Sequence, residues 1–246
     1  MWTLTRVALS SPLLVSRPLR ASRTRHIFRS SRKSSTPTAA SDTSEMSTDW
    51  ESMWRGDGKT LQPGQAFDAN KCEPSLEALI EQGVLPTGRA LVPGCGRGYA
   101  VEALASEDRD VLGLEVSETA KSAADSFLDK SPKRKHTSVV IDDFFTHTPA
   151  TQYDLVFDST FLCAIPPARR EEWAAKYAEI IKPGGEIVSN VFPIGPFEGG
   201  PPFALSPDIV KSLLEPVGFE VVSLTETPET QWARGRPEFL YRFRRK

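Results

Sequence analysis

The run Gly94-Cys95-Gly96-Arg97-Gly98 carries the first chemical signal in this chain. Glycines at alternate positions let the backbone approach a ligand closely, and a helix starting behind them offers N–H groups without intrahelical partners. Glu115 stands 21 positions after Gly94. At the end of the next strand, its carboxylate can accept two hydrogen bonds from a ribose diol. Asp143 can accept from an exocyclic amine, with Phe144 against the adenine ring. Together these groups describe an adenosine site. A dinucleotide fingerprint requires Gly or Ala at its sixth position, where this chain has Tyr99. The Gly-x-Gly-x-Gly form crowds a pyrophosphate and suits S-adenosylmethionine, which has none. Its sulfonium can be stabilised by nearby aromatic faces or acids.

Such groups must be held at the carboxyl ends of parallel strands, and the pattern supplies them. Continuously apolar strands are predicted at Gly88–Pro93, Val111–Glu115, Thr137–Ile141, Asp154–Asp158, Ile187–Phe192, Phe219–Leu224 and Phe239–Phe243. Helices are predicted at Trp50–Trp54, from Pro74 to Gln82, from Tyr99 to about Ser106, from Ser117 to Asp129, from Pro166 to Ile180, and over Pro207–Leu214. Pro183-Gly184-Gly185 reads as a stop after the fifth of these. Strands alternating with helices imply a parallel sheet covered on both faces. The last two strands lack a helix between them, so one is expected to run antiparallel at the sheet edge.

Other chemistries find no support. Cys72, Cys95 and Cys163 stand far apart, as do His26, His136 and His147, so no metal site is expected. Neither a Gly-x-Ser-x-Gly nor a His-Glu-x-x-His motif occurs, and Met53 sits where a phosphate loop ending in Gly58-Lys59-Thr60 needs glycine. No apolar run reaches the roughly 18–20 residues of a membrane helix. The 246 residues hold 30 basic and 32 acidic side chains, but eight of the basic ones lie in residues 1–41, which contain no acid. The remainder has 22 basic against 32 acidic residues, a formal charge of −10, which disfavours a nucleic-acid partner. The Arg- and Ser-rich start, with Arg25-His26-Ile27-Phe28-Arg29-Ser30, has the composition of a mitochondrial transit peptide. Residues 1–46 are therefore read as leader and linker, and 47–246 as one domain. Initiation at Met46 would instead leave the protein in the cytoplasm.

Five segments together resemble the thiopurine S-methyltransferase family, in particular its plant and fungal thiol and halide methyltransferase branch. They are Leu91-Val92-Pro93-Gly94-Cys95-Gly96-Arg97-Gly98-Tyr99, Trp50-x-x-x-Trp54, Asp142-Asp143-Phe144-Phe145, Phe161-Leu162-Cys163-Ala164-Ile165 and Gly199-Gly200-Pro201-Pro202-Phe203. The resemblance covers roughly 47–246. It implies an α/β, Rossmann-like class I methyltransferase fold, with a seven-stranded, mostly parallel sheet and helices on both faces, and S-adenosylmethionine as donor. It carries over Trp50, Trp54, Gly94, Glu115, Asp143, Phe144 and Ser159 as cofactor contacts, with Gly96 in the same turn. Three features depart from that branch. Glu115 replaces an aspartate, Leu61 stands where a third tryptophan is expected, and Ser159 and Phe192 replace tyrosines near the methyl acceptor.

The expected reaction is methyl transfer to a small sulfur nucleophile (a thiol or bisulfide, with thiocyanate and halide as further acceptors) by a monomer. Asp158 is the strand-end acid left to orient or deprotonate the acceptor. Phe161, Phe192 and Phe203 are expected to line its pocket, with the Gly199–Phe203 loop at the border. The alternatives are an inactive methyltransferase fold serving as a binding partner, and an NAD(P)-dependent reductase. The latter is opposed by Tyr99 and by the lack of a Tyr-x-x-x-Lys relay.

Overall fold

The computed structural model describes residues 48–246, so the leader and the Met46 start lie outside the described residues. The chain opens with α1 (Trp50–Arg55), whose first turn is capped by the Asp49 carboxylate accepting from Ser52 N–H at 2.9 Å. It continues through α2 (Pro74–Glu81), β1 (Gly88–Pro93), α3 (Tyr99–Leu104), β2 (Arg109–Glu115), α4 (Glu118–Leu128), β3 (Thr137–Ile141) and β4 (Tyr153–Ser159). The second half adds α5 (Arg170–Ile180), β5 (Ile181–Val191), α6 (Pro207–Leu214), β6 (Phe219–Glu226) and β7 (Phe239–Arg245). Proline opens α2 and α6 at the position where a missing N–H is harmless, and Ser117 caps α4.

The sheet order is β3-β2-β1-β4-β5-β7-β6. β1 has β2 and β4 as parallel neighbours, so strand order reverses there and the crevice opens above its glycine turn. Side chains alternate between two cores. Leu91 and Val156 point to the face covered by α5 and α6, while Ala90, Val92, Leu155 and Phe157 point to the face covered by α2, α3 and α4.

Two expectations need correction. The antiparallel strand is β7, which lies inside the sheet between β5 and β6, so the edge strand β6 keeps the common direction. No α-helix separates the two strands of the hairpin, and inserting the second beside β5 buries Leu240 and Phe243 on opposite faces. The other concerns Pro183-Gly184-Gly185, which interrupts a strand rather than leading to one. β5 begins at Ile181 opposite Tyr153, and the register with β4 shifts before resuming at Leu155 and Glu186. Gly184, at φ 81°, accommodates that irregularity.

Candidate cofactor and acceptor site

Gly94, Gly96 and Gly98 all adopt positive φ, at 56°, 55° and 84°. A Cβ on Gly94 would meet the Phe161 ring at 2.8 Å, so no other residue fits that turn. Trp54, only 3% exposed, lies against Gly96, where a Cβ would come within 3.4 Å of its ring. The aromatic cover has a third member that sequence reasoning missed. Phe67 meets Trp50 and Trp54 edge-on, with ring centroids 6.1 and 5.6 Å away. Leu61, at the supposed tryptophan position, instead offers its carbonyl to Arg97, which also pairs with Asp68 at 2.8 Å and lies over Trp54.

Glu51 was also missed. Its carboxylate accepts from Ser117 Oγ at 2.6 Å, Thr119 N–H at 3.1 Å and Thr119 Oγ1 at 2.6 Å. Those donors sit at the start of α4, where the helix dipole favours an anion. The cover segment is thereby fastened beside the ends of β1 and β2.

Glu115 ends β2 as expected. One carboxylate oxygen accepts the Gly96 N–H at 2.7 Å and the other accepts Val116 N–H at 3.1 Å. Burial pushes its carboxyl above the usual range, and these N–H donors oppose the shift. Asp143 stands after β3 with one oxygen holding Phe145 N–H at 2.9 Å. The adjacent Asp142 turns away to His147 Nδ1 at 2.7 Å. Phe144 departs from the expected role. Its side chain is 3% exposed and meets Phe145, Phe161 and Tyr177 edge-on at 5.3, 5.0 and 4.9 Å, so the ring belongs to the core rather than to an open adenine face.

Asp158 requires the larger correction. It is 1% exposed and accepts from Leu162 N–H at 3.1 Å, Trp173 Nε1–H at 2.9 Å and Tyr177 O–H at 2.8 Å. Burial raises its carboxyl, while those donors oppose the rise. A carboxylate so occupied fastens α5 to the sheet and does not face an acceptor.

Next to it, Ser159 meets a polar cluster drawn from four distant segments. Ser159 Oγ donates to Glu73 Oε1 at 2.5 Å, and Arg234 Nη1 pairs with the same oxygen at 3.2 Å. Asn190, opposite Ser159 in β5, donates toward Ser159 Oγ at 3.4 Å and toward Glu238 Oε2 at 3.3 Å. The Glu238 carboxyl is raised by burial. After Ser159 the chain turns sharply, with Thr160 at φ 56°. No periodicity announces such a cluster, because its members lie up to 165 positions apart, from Glu73 to Glu238.

Of the three expected pocket aromatics, Phe161 lies beneath Gly94, and Phe192 is buried with the Arg234 guanidinium 5.7 Å over its ring. Phe203 N–H donates to Cys163 carbonyl at 2.6 Å, drawing the Gly199–Phe203 loop over the turn after β4. The cysteines are structural. Cys72 and Cys163 are buried, and burial pushes the Cys163 thiol up to about 12. Cys95 is partly exposed as a residue, yet its sulfur lies against Gly113, where a Cβ would meet it at 2.5 Å.

The side-chain-free cradle at Gly94, the buried Glu115 acid and the cover of Trp50 and Trp54 fit a ligand with an amino-acid end and a ribose. Sheet order and glycine turn define a class I methyltransferase fold. A solved glycopeptide N-methyltransferase complexed with S-adenosyl-L-methionine shares it with a TM-score of 0.59 at 18% identity, covering 76% of this chain and 100% of that one. A structure described as the conversion of a disulfide bond into a thioacetal group during echinomycin biosynthesis gives 0.64 at 22% identity, covering 80% and 92%. The thiopurine S-methyltransferase family profile matches residues 46–236, and the chain belongs to that family. It is 41% identical over 196 residues to "Probable thiol methyltransferase 2" of Arabidopsis thaliana, covering 80% of this chain and 84% of that protein. It is 40% identical, with the same coverage, to "Thiocyanate methyltransferase 1" of Brassica oleracea.

Proposed function

We propose that the protein transfers the methyl group of S-adenosylmethionine to a small sulfur nucleophile, a thiol or bisulfide first, with thiocyanate and halide as poorer acceptors. The observation that carries this reading is the glycine turn closed on a buried strand-end acid, Gly96 N–H to Glu115 at 2.7 Å, in a chain of this family. When bound, the cofactor supplies an electrophilic methyl group on a sulfonium.

The chain's own residues bind, align and exclude water. Gly94 and Gly96 leave room at the amino-acid end, Glu115 presents oxygens to a ribose, and Asp143 keeps one oxygen for an exocyclic amine. Trp50, Trp54 and Phe67 cover the turn and remove water from it. Phe161, Phe192 and Phe203 surround the acceptor's organic tail. In-line displacement gains mainly from alignment at near-attack distance and from stripping water off the nucleophile. A thiol with an ordinary pKa of about 8.5 already presents some thiolate at neutral pH.

The test is a mass-spectrometric screen of thiol, bisulfide, thiocyanate and halide acceptors with isotopically labelled donor. Methylated thiol is expected, and no labelled product from any sulfur acceptor overturns the reading. The reading extends to a monomer and to mitochondrial import, the latter supported by the acid-free, Arg-rich residues 1–41.

A further inference from the structure

We propose that Ser159 is a catalytic proton acceptor for the incoming thiol and that Glu73 is its positioning residue. This rests on the thiol-methyltransferase reading. Ser159 ends β4, beside the β1 glycine turn, and Phe161 two residues later lies beneath Gly94. A hydroxyl has one proton and two lone pairs. Here the proton is committed to Glu73 Oε1 at 2.5 Å, a charge-assisted length. Asn190 approaches one lone pair at 3.4 Å. The other remains for an S–H donor.

The surroundings fit a proton path better than a structural knot. Arg234 balances the Glu73 charge at 3.2 Å. Asn190 Oδ1, Glu238 Oε1 and Arg234 Nε are buried and lack hydrogen-bond partners among the described residues, so the cluster is not self-complete. The titratable and charged groups around Glu73 are Arg234, Glu238, and Cys72 and Glu77 beside it. Asp158 is excluded as the base by its three donors.

In the step, the acceptor's S–H bond breaks as an O–H bond forms at Ser159 Oγ, and the serine's own proton passes to Glu73. The sulfur's released electron pair forms the new S–CH3 bond. The old methyl–sulfur bond breaks, and its pair stays on the departing thioether sulfur. Glu73 later returns the proton to solvent.

The test compares Glu73→Gln, Ser159→Ala and Ser159→Thr with the unmodified full chain. Each is assayed with an alkyl thiol, which arrives protonated, and an aryl thiol already ionised at the assay pH. Melting temperature and calorimetric binding of S-adenosylhomocysteine verify fold and cofactor site. Expected for Glu73→Gln and Ser159→Ala is a fall of about 10²-fold in the alkyl-to-aryl ratio of kcat/KM, the usual scale of general-base assistance. Alkyl-thiol turnover in both should then rise tenfold per pH unit with the thiolate fraction. Ser159→Thr, which keeps a hydroxyl, should restore most of the ratio. Equal losses on both thiols, or an unchanged ratio, overturn the relay while leaving the methyltransferase reading intact. Failure of the unmodified protein to methylate either thiol, with S-adenosylhomocysteine still bound, overturns that reading and the relay with it.

Discussion

The Glu115 carboxylate reaches back across the top of the sheet to hold the Gly96 N–H at 2.7 Å, tying the end of β2 to the turn after β1. One side chain thus shapes the glycine turn, and in the proposed reading it also offers oxygens to a ribose. Glu115→Ala should weaken S-adenosylhomocysteine binding by about 1.5–3 kcal/mol, the range for charge-assisted hydrogen bonds. Calorimetry checks this, and unchanged affinity in a folded variant would remove Glu115 from the site. Because burial raises its carboxyl, protonation sets in above the ordinary value of 4.5. Affinity should therefore fall on acidification at a higher pH than an exposed glutamate would give.

Asp158→Ala should act on stability. Leu162 N–H, Trp173 Nε1–H and Tyr177 O–H would each lose a buried acceptor. At roughly 1–3 kcal/mol for each unsatisfied group, a loss of about 3 kcal/mol or more is expected. Chemical denaturation measures it. A variant of unchanged stability but abolished turnover would return Asp158 to the reacting atoms.

Much of this was readable in advance because it rests on local rules. Gly94 to Gly98 had to be a turn, Glu115 and Asp143 had to follow strands, and apolar runs set the strand centres. The rest depended on contacts between distant segments. Phe144 resembled an exposed stacking ring, but three other aromatic rings converge on it and bury it. Phe67 and Glu51 lie in stretches with no period to announce them, and their roles follow from Trp54 and the start of α4. The Glu73, Ser159, Asn190, Arg234 and Glu238 cluster was invisible for the same reason, since strand register and loop closure assemble it.

On the proposed reading Phe192 stands where the related branch has a tyrosine hydroxyl to assist a small anion, and the Arg234 guanidinium lies 5.7 Å over its ring. A missing hydrogen bond to a buried anion is worth roughly 1.5–3 kcal/mol, or about 10- to 150-fold. Thiols, with bisulfide second, should outrank iodide and chloride in kcat/KM, because in the proposed pocket an organic tail would pack against Phe161, Phe192 and Phe203. Phe192→Tyr should narrow that gap. Iodide turnover equal to that of the best thiol in the unmodified protein would contradict this account.

The leader is tested separately. A fluorescent fusion of residues 1–45 should enter mitochondria, with processing before Trp50 in the full chain. Cytosolic retention defeats that expectation, and a mature protein beginning at Met46 or Ser47 would support internal initiation.

The placement of the three cysteines bears on the company such a protein keeps. Thiol acceptors in a cell coexist with their disulfides, and any accessible thiolate would be captured as a mixed disulfide. Exchange requires both an ionised sulfur and an open line of attack. Cys163 is buried and pushed up to about 12, Cys72 is buried and raised by that burial, and the Cys95 sulfur is wedged against Gly113. The folded chain should therefore keep its mass through exposure to an aromatic disulfide and acquire adducts only once denatured. Such packing would leave the protein chemically indifferent to the oxidised forms of the thiols proposed as its substrates.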